Sequence, residues 1–184
     1  MSVDVRLDPV LACNFRISLT DSTSALAAVA NVALSTVLSH PLGGFSECTG
    51  LEMSLEVQEF MEGGGNDTVL KFPTRMKPAT LVFKRGLTTK PDLWLWFDSF
   101  TRGVGRRRDG LVIVQNAAQQ PHTVFGFRRG LPVKYAGPQL SAGHGAVAIE
   151  SIEIAHEGLY QMAGAGPLAQ AVSEAAGAIA GLFR

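Results

Sequence analysis

The sequence predicts a mainly β protein, built as a closed or sandwiched sheet with one short helix against it. Two segments, 13–19 and 51–58, alternate between apolar and polar residues, which is the pattern of half-buried strands. Several further apolar segments of strand length recur between glycines, prolines and polar residues, as in sandwiches and barrels. The 184 residues suit one domain, and 46% of them are hydrophobic against 17% charged, which favours a folded core over disorder.

The first two predicted strands show the alternation most clearly. Every second side chain is apolar and is expected to face the core, while the residues between them are polar. The residues expected to face inward are Cys13, Phe15, Ile17 and Leu19 in the first strand and Leu51, Met53, Leu55 and Val57 in the second. An acidic series accompanies the second strand, and its even spacing favours a solvated strand face over a metal site or a catalytic carboxylate pair. The acidic series consists of Glu47, Glu52, Glu56, Glu59 and Glu62.

A long hairpin is predicted from Leu51 to Phe72. The second strand leads into Glu62-Gly-Gly-Gly-Asn-Asp, and the segment from Thr68 to Phe72 returns as a strand. Glycine and asparagine tolerate positive φ, so this tip is expected to turn the chain and to be flexible.

Five further strands and one helix are predicted along the rest of the chain. The strands are 79–85, 110–115, 122–127, 131–135 and 146–156. The helix is expected to begin near Pro91, because Thr89 can cap it and Asp92 is favourable at the positive end of the helix dipole. Its apolar residues share one face, and Gly103 is expected to end it. These apolar residues are Leu93, Trp96, Phe97 and Phe100.

Two segments depart from the β pattern. Residues 21–44 are rich in Ala, Ser and Val, and the sequence leaves open whether they form a helix or an ordered loop. The segment from Gly158 onward is interpreted as a tail with an amphipathic helix that begins near Pro167. The apolar stripe of that helix includes Leu168, Val172 and Ile179. We therefore predict a β domain over residues 1–159, with an insertion at about 21–44, and an amphipathic C-terminal extension over residues 160–184.

Charge and hydropathy exclude several classes of partner. The chain has 16 Lys and Arg residues against 16 Asp and Glu residues, so it lacks the positive field that non-specific binding to nucleic acids or anionic membranes requires. The longest apolar-biased stretch, 25–38, is shorter than the roughly 20 residues of a bilayer span. We expect no membrane insertion and no specific nucleic acid binding. The first residues lack the pattern of a secretory signal.

No constellation of residues indicates catalysis. Cys13 and Cys48 have no recurring spacing and are interpreted as small buried residues of a reducing compartment. The four histidines show no HExxH or Cys/His metal spacing, and no GxSxG motif is present. The basic run 106–108 is interpreted as loop or interface arginines. We predict no catalytic, metal-binding or cofactor-binding residue and no cofactor, which favours a non-enzymatic interaction protein.

A series of motifs then follows in order along most of the chain. The motifs are Gly44-Phe-Ser-Glu-Cys-Thr-Gly-Leu-Glu, Val57-Gln-Glu-Phe-Met-Glu-Gly-Gly, Leu70-Lys-Phe-Pro-Thr-Arg, Leu81-Val-Phe-Lys-Arg-Gly-Leu-Thr, Leu93-Trp-Leu-Trp-Phe, Arg107-Arg-Asp-Gly, Pro132-Val-Lys-Tyr-Ala-Gly-Pro and Val147-Ala-Ile-Glu-Ser-Ile-Glu-Ile-Ala-His-Glu-Gly-Leu. Their order and spacing over about residues 9–159 resemble the tail tube proteins of contractile phage tails and of phage-tail-like extracellular injection systems.

The resemblance implies a β-barrel of the Hcp-like tail tube fold with a flanking helix, and a homo-hexameric ring of such barrels. Rings would stack around a lumen that holds cargo, inside a sheath protein and on baseplate hub proteins. Assembly would be cytoplasmic, and the product would be a phage virion or a released injection particle. The hairpin tip would contact the adjacent ring. The residues expected in this ring-stacking interface are Glu59, Glu62, Gly63, Gly64, Gly65, Asn66 and Asp67.

Two features depart from an ordinary tube subunit: the segment 21–44 and the tail after Leu159. They resemble those of the tube-initiating paralogue at the baseplate, and we expect Leu168, Val172 and Ile179 to contact a partner there. The sequence leaves open whether the particle is a phage tail, a bacteriocin-like device or an injection system. The alternative function is a monomeric or dimeric β-barrel that binds a ligand or acts as an effector outside any tube.

Overall fold

A computed structural model describes residues 11–21, 44–63, 67–117, 119, 121–143 and 145–163. Within these ranges the chain forms nine strands and one helix. The strands are β1 (Phe15–Asp21), β2 (Phe45–Thr49), β3 (Met53–Met61), β4 (Val69–Pro78), β5 (Leu81–Gly86), β6 (Arg108–Gln115), β7 (Pro121–Ala136), β8 (Ile149–Ala155) and β9 (Gly158–Ala163). The helix is α1 (Asp92–Thr101). The predicted mainly β fold with one short helix is therefore confirmed.

Seven of the strands form one antiparallel sheet in the order β1-β6-β7-β8-β5-β2, with β9 paired to β7. The sheet surrounds a single main core to which both its central strands and α1 contribute. Core residues with no exposed surface include Ile17 on β1, Phe83 on β5 and Leu93 on α1. Burial of such side chains is the main stabilising contribution in a domain of this size.

The long strand β7 belongs to both halves of the sheet. Its first part pairs with β6 on one edge and β9 on the other, while its second part pairs with β8. Two separate strands, 122–127 and 131–135, were expected because Arg-Arg-Gly between them is typical of a turn, and that expectation is wrong. Arg129 adopts a φ of 51°, and its backbone N–H donates to the Asp109 carboxylate at 2.7 Å. The strand therefore bends at this point without ending.

Helix α1 covers the core through Leu93 and Trp96, as predicted. The indole N–H of Trp96 donates to the Arg106 carbonyl oxygen at 2.9 Å. The expected capping by Thr89 is wrong, because Pro91 occupies the N-cap position and no side chain caps the helix by a hydrogen bond. Gly103, at a φ of 75°, follows the helix end as expected, and the left-handed conformation there suits glycine.

Three further expectations need correction or fall outside the described residues. Cys13 is exposed, not buried, because it lies in the turn before β1 where the strand alternation no longer applies. The tail was expected from Gly158 onward, whereas residues 158–163 form β9. The rest of the predicted C-terminal extension, including Leu168, Val172 and Ile179, lies outside the described residues, as does the segment 22–43.

Candidate assembly surface

The most unusual part of the structure is the hairpin of β3 and β4. Its antiparallel register runs from Met53 opposite Pro78 to Met61 opposite Val69, with a bulge near Leu55. In the part of the chain that the structure describes, neither strand pairs with any other strand. The predicted hairpin is therefore present, but it stands apart from the seven-stranded sheet.

The base of the hairpin is fixed to the sheet at one close contact. Gly50, with a φ of 86°, links β2 to β3, and a Cβ there would lie 2.1 Å from the Thr80 carbonyl oxygen. The Ala79 N–H also donates to the Glu52 carbonyl oxygen at 3.2 Å. Only glycine fits both the left-handed backbone and the close approach, so Gly50 sets the direction in which the hairpin leaves the sheet.

One side of the hairpin, here called the apolar face, carries large hydrophobic side chains from both strands. The register places on it Met53, Leu55, Val57, Met61, Val69, Pro73 and Met76, with the exposed Glu59–Lys71 ion pair between the Val57–Pro73 and Met61–Val69 pairs. These side chains are exposed in the protomer, with Leu55 49% and Met61 78% accessible. An exposed patch of this kind indicates a protein interface. The expectation that Met53, Leu55 and Val57 point into the core is therefore wrong, although Leu51 does pack against it.

The opposite side, here called the polar face, is charged toward the base and aromatic toward the tip. It carries Ser54, Glu56, Gln58, Phe60, Leu70, Phe72, Arg75 and Lys77. The Phe60 and Phe72 rings meet edge to face, with centroids 6.5 Å apart. Every residue of β3 is exposed on either face. A two-stranded hairpin open on both faces has little independent stability in water, so assembly would stabilise it.

The residues predicted for ring stacking lie at the outer end of this hairpin. Glu59 is on β3 and forms an exposed ion pair with Lys71, at 3.6 Å between Oε1 and Nζ. Glu62, Gly63 and Asp67 are exposed beside the tip. Gly64, Gly65 and Asn66 lie outside the described residues.

Sequence reasoning missed the apolar face itself. Its period-2 pattern was visible in β3, but a pattern of this kind does not tell whether the covering surface belongs to the same chain or to another one. The methionines at 53, 61 and 76 were the available signal, since methionine is enriched in protein interfaces.

A second feature is a buried ionic group that joins three strands. The Arg85 guanidinium on β5 donates through Nε to Glu150 Oε1 on β8 at 2.6 Å, and both side chains are almost completely buried. Tyr135 on β7 donates its hydroxyl to the other Glu150 oxygen at 2.6 Å. Burial and the adjacent Glu150 carboxylate raise the pKa of Tyr135 to about 12. The group links the three strands β5, β7 and β8.

Two arginines of the basic run, Arg107 and Arg108, and Arg129 on β7 form ion pairs within the protomer. Arg107 and Arg129 both reach the Glu157 carboxylate, at 2.7 and 2.8 Å. Arg108 contacts Asp21 at 3.2 Å and lies over the Trp96 ring. These contacts favour a structural role over a nucleic-acid interface, which would leave the guanidinium groups available to phosphates.

His156 is buried beside Phe127, with ring centroids 5.9 Å apart. Burial lowers the pKa of its imidazole, and nearby backbone groups of Ala79 and Gly158 offset part of that effect. Over the ranges that the structure describes, no three His, Cys, Asp or Glu side chains are grouped to hold a metal ion. No helix among the described residues has the length and apolar character to span a membrane.

One protein family matches most of the chain. The family T4-like virus tail tube protein gp19 matches residues 11–160. No curated protein sequence matches the chain.

Solved structures share its fold at low sequence identity. A chain of the anti-feeding prophage baseplate, 6-fold symmetrised, is 22% identical with a TM-score of 0.70, over 86% of this chain and 98% of that one. A chain of the PVC extracellular contractile injection system, from the extended sheath–tube complex, is 18% identical with a TM-score of 0.68, over 84% and 92%. A chain of the anti-feeding prophage tube terminating cap is 15% identical with a TM-score of 0.70, over 89% and 99%.

Proposed function

Since this chain belongs to the T4-like virus tail tube protein family, its role is a structural one in a phage tail or contractile injection system, and we propose that six copies form a ring and that rings stack into the inner tube. The observation that carries the proposal is the β3–β4 hairpin, whose two faces and two edges are exposed in the protomer. A second copy of the chain can cover an exposed face and can pair with an exposed edge.

The apolar face supports ring formation on energetic grounds. Burying a large hydrophobic side chain contributes about 1.5–3 kcal/mol, and the side chains of this face retain roughly half of their surface for a neighbour to cover. Exposed strand edges are an aggregation hazard in a monomer, but they become a defined contact when the edge of one copy pairs with that of the next.

A ring follows if this contact is head to tail. A heterologous contact that repeats with a fixed rotation closes into a ring, and stacking of rings extends it into a filament. The 6-fold symmetrised baseplate whose chain shares this fold supports six as the number of copies. In this arrangement the hairpin tip, from Glu59 to Asp67, contacts the adjacent ring, and the lumen holds the cargo. Assembly takes place in the cytoplasm, within a sheath and on baseplate hub proteins.

The proposal extends to a position at the start of the tube. The insertion at about 21–44 and the extension after β9, which ends at Ala163, supply contacts to neighbours that are not copies of the chain, where the tube meets the baseplate hub. In the extension, Leu168, Val172 and Ile179 are proposed to form that contact.

Sedimentation velocity and negative-stain microscopy of the purified protein test the ring. We expect a species of six copies that appears as a ring with a central hole. A monomer or dimer at all concentrations would overturn the hexamer and favour the alternative, a β-barrel acting outside a tube.

Cryo-electron microscopy of intact particles tests the placement. The initiator version predicts density for this chain in one ring beside the baseplate, and density along the whole tube would refute it while leaving the tube role intact. Deleting residues 164–184 is expected to leave the ring intact and to abolish attachment to the hub. Normal attachment by the truncated chain would refute the role of the extension.

A further inference from the structure

The two strands of the hairpin carry opposite charge. Residues 51–63, which contain β3, include four glutamates and no lysine or arginine, and residues 69–78, which form β4, include three basic residues and no acid. The charged residues are Glu52, Glu56, Glu59 and Glu62 in the first segment and Lys71, Arg75 and Lys77 in the second. All of them are exposed. One edge of the hairpin is therefore acidic and the other is basic.

Most of these charges have no partner of opposite sign within the described part of the protomer. Glu59 and Lys71 form the one ion pair between the two strands, and its side chains remain 62% and 65% accessible. Across the described ranges, no ion pair involves Glu56, Arg75 or Lys77. The arginines near Glu157 behave differently, since their ion pairs are completed inside the protomer. Charges left over on both edges are available to a neighbouring molecule.

We propose that the basic β4 edge of one copy lies beside the acidic β3 edge of the next copy, so that charge selects the head-to-tail contact of the ring. The inference rests on the proposed function and specifies the partner surface of that same hairpin. β3 and β4 are antiparallel, so the order β3-β4-β3-β4 remains antiparallel around a ring in which every copy has the same direction. Backbone pairing can then continue from one hairpin to the next.

The two-fold alternative is disfavoured by the same charges. A symmetric dimer through these edges would place β3 against β3 or β4 against β4, and like charges on neighbouring strands are destabilising. In the head-to-tail order each acidic strand lies between two basic strands, one from its own copy and one from its neighbour. The charges therefore disfavour the closed dimer relative to the ring.

Charge-reversal variants test the proposal. The basic variant carries Glu52→Lys and Glu56→Lys, and the acidic variant carries Arg75→Glu and Lys77→Glu. We expect each variant alone to need about tenfold more protein for half-maximal ring formation, because like charges then meet at every contact. An equimolar mixture should restore assembly as alternating copies, which an even-numbered ring accommodates.

The outcomes separate this inference from the proposed function. Variants that form rings as readily as the wild type, or a mixture that does not recover, would overturn the charge-selected contact alone. Absence of rings from the wild type would overturn the proposed hexamer. Thermal unfolding of each variant provides the control for the protomer fold. Each variant also places like charges on β3 and β4 of its own hairpin, and that repulsion is the same in the mixture as in the single variants. Recovery of rings in the mixture therefore assigns the defect to the contact between copies.

A cross-linking experiment on the unmodified chain gives a second test. Rings are assembled from a mixture of ¹⁵N-labelled and unlabelled protein and treated with a carbodiimide, which joins a carboxylate to an amine without a spacer. We expect linked peptides that pair Lys77 of one isotope with Glu52 or Glu56 of the other. The Glu59–Lys71 link within a single copy is the internal control. Rings that give the control link and no mixed-isotope link of this kind would overturn the proposal.

Discussion

Replacing Leu55 and Met76 by threonine should separate ring assembly from folding. The two residues are opposite one another on the apolar face, and they are 49% and 61% accessible in the protomer. Threonine is β-branched and therefore suited to a strand, but it removes most of the apolar surface. The two substitutions therefore reduce mainly the apolar surface that a neighbouring copy would cover.

The magnitude follows from the surface that is still exposed. Full burial of a Leu or Met side chain contributes about 1.5–3 kcal/mol, so covering roughly half of each contributes about 1 kcal/mol. Losing both contributions makes the free energy of association less favourable by about 2 kcal/mol per contact, which weakens association by roughly 30-fold. We expect the protomer to lose less stability than the ring contact does.

Sedimentation velocity over a range of protein concentrations measures the shift, and thermal unfolding measures the stability of the protomer. Leu140→Thr is the matched control, because Leu140 is 84% accessible and lies outside the hairpin. The measured quantity is the protein concentration at which ring formation is half-maximal. If this concentration is unchanged in the double variant, or shifts equally in the control, the assignment of the apolar face to the ring contact is refuted.

Three further predictions concern the protomer, and urea or thermal unfolding measures each. Glu150→Gln should cost about 3–5 kcal/mol, because it removes the carboxylate charge that pairs with the buried Arg85 guanidinium, and adding Arg85→Met should recover part of the loss; equal stability of single and double variants would contradict this. Gly50→Ala should cost more than about 1 kcal/mol, whereas Gly63→Ala, which has open space around it, should stay within about 0.5 kcal/mol. The lowered pKa of His156 means that the unfolded chain binds a proton that the folded chain does not, so stability should fall as pH drops below about 6.5, and His156→Gln should reduce this slope.

Much of the protomer could be predicted because its signals are local. Alternation located β1 with Ile17 inward, and the apolar spacing of Leu93 and Trp96 located the buried side of α1. The missed features depend on contacts distant in sequence. Arg128-Arg-Gly continues β7 because the Asp109 carboxylate holds the Arg129 N–H, and β9 forms because the free edge of β7 accepts it.

The sequence predicted the β3–β4 hairpin, but it did not predict that the apolar side chains of the hairpin are exposed. The apolar residues of β3 satisfy the same alternation as those of β1, yet Ile17 is buried within the protomer and Val57 is 51% accessible. The difference depends on where Gly50 directs the hairpin, which no periodicity reports. The opposite charges of β3 and β4 are visible in the sequence. Only the register shows that the acidic and the basic strand are neighbours in one hairpin.

The single strand β7 also has a mechanical consequence. It contains 16 residues and shares hydrogen-bond ladders with β6, β8 and β9. No flexible linker separates the two parts of the sheet along β7. A force that pulled these parts apart would therefore have to stretch a continuous backbone or break the hydrogen bonds of several strand pairs at once. In a tube built from such subunits, thrust would be transmitted through the covalent backbone of each subunit. The contacts between subunits would then be the first to break under load.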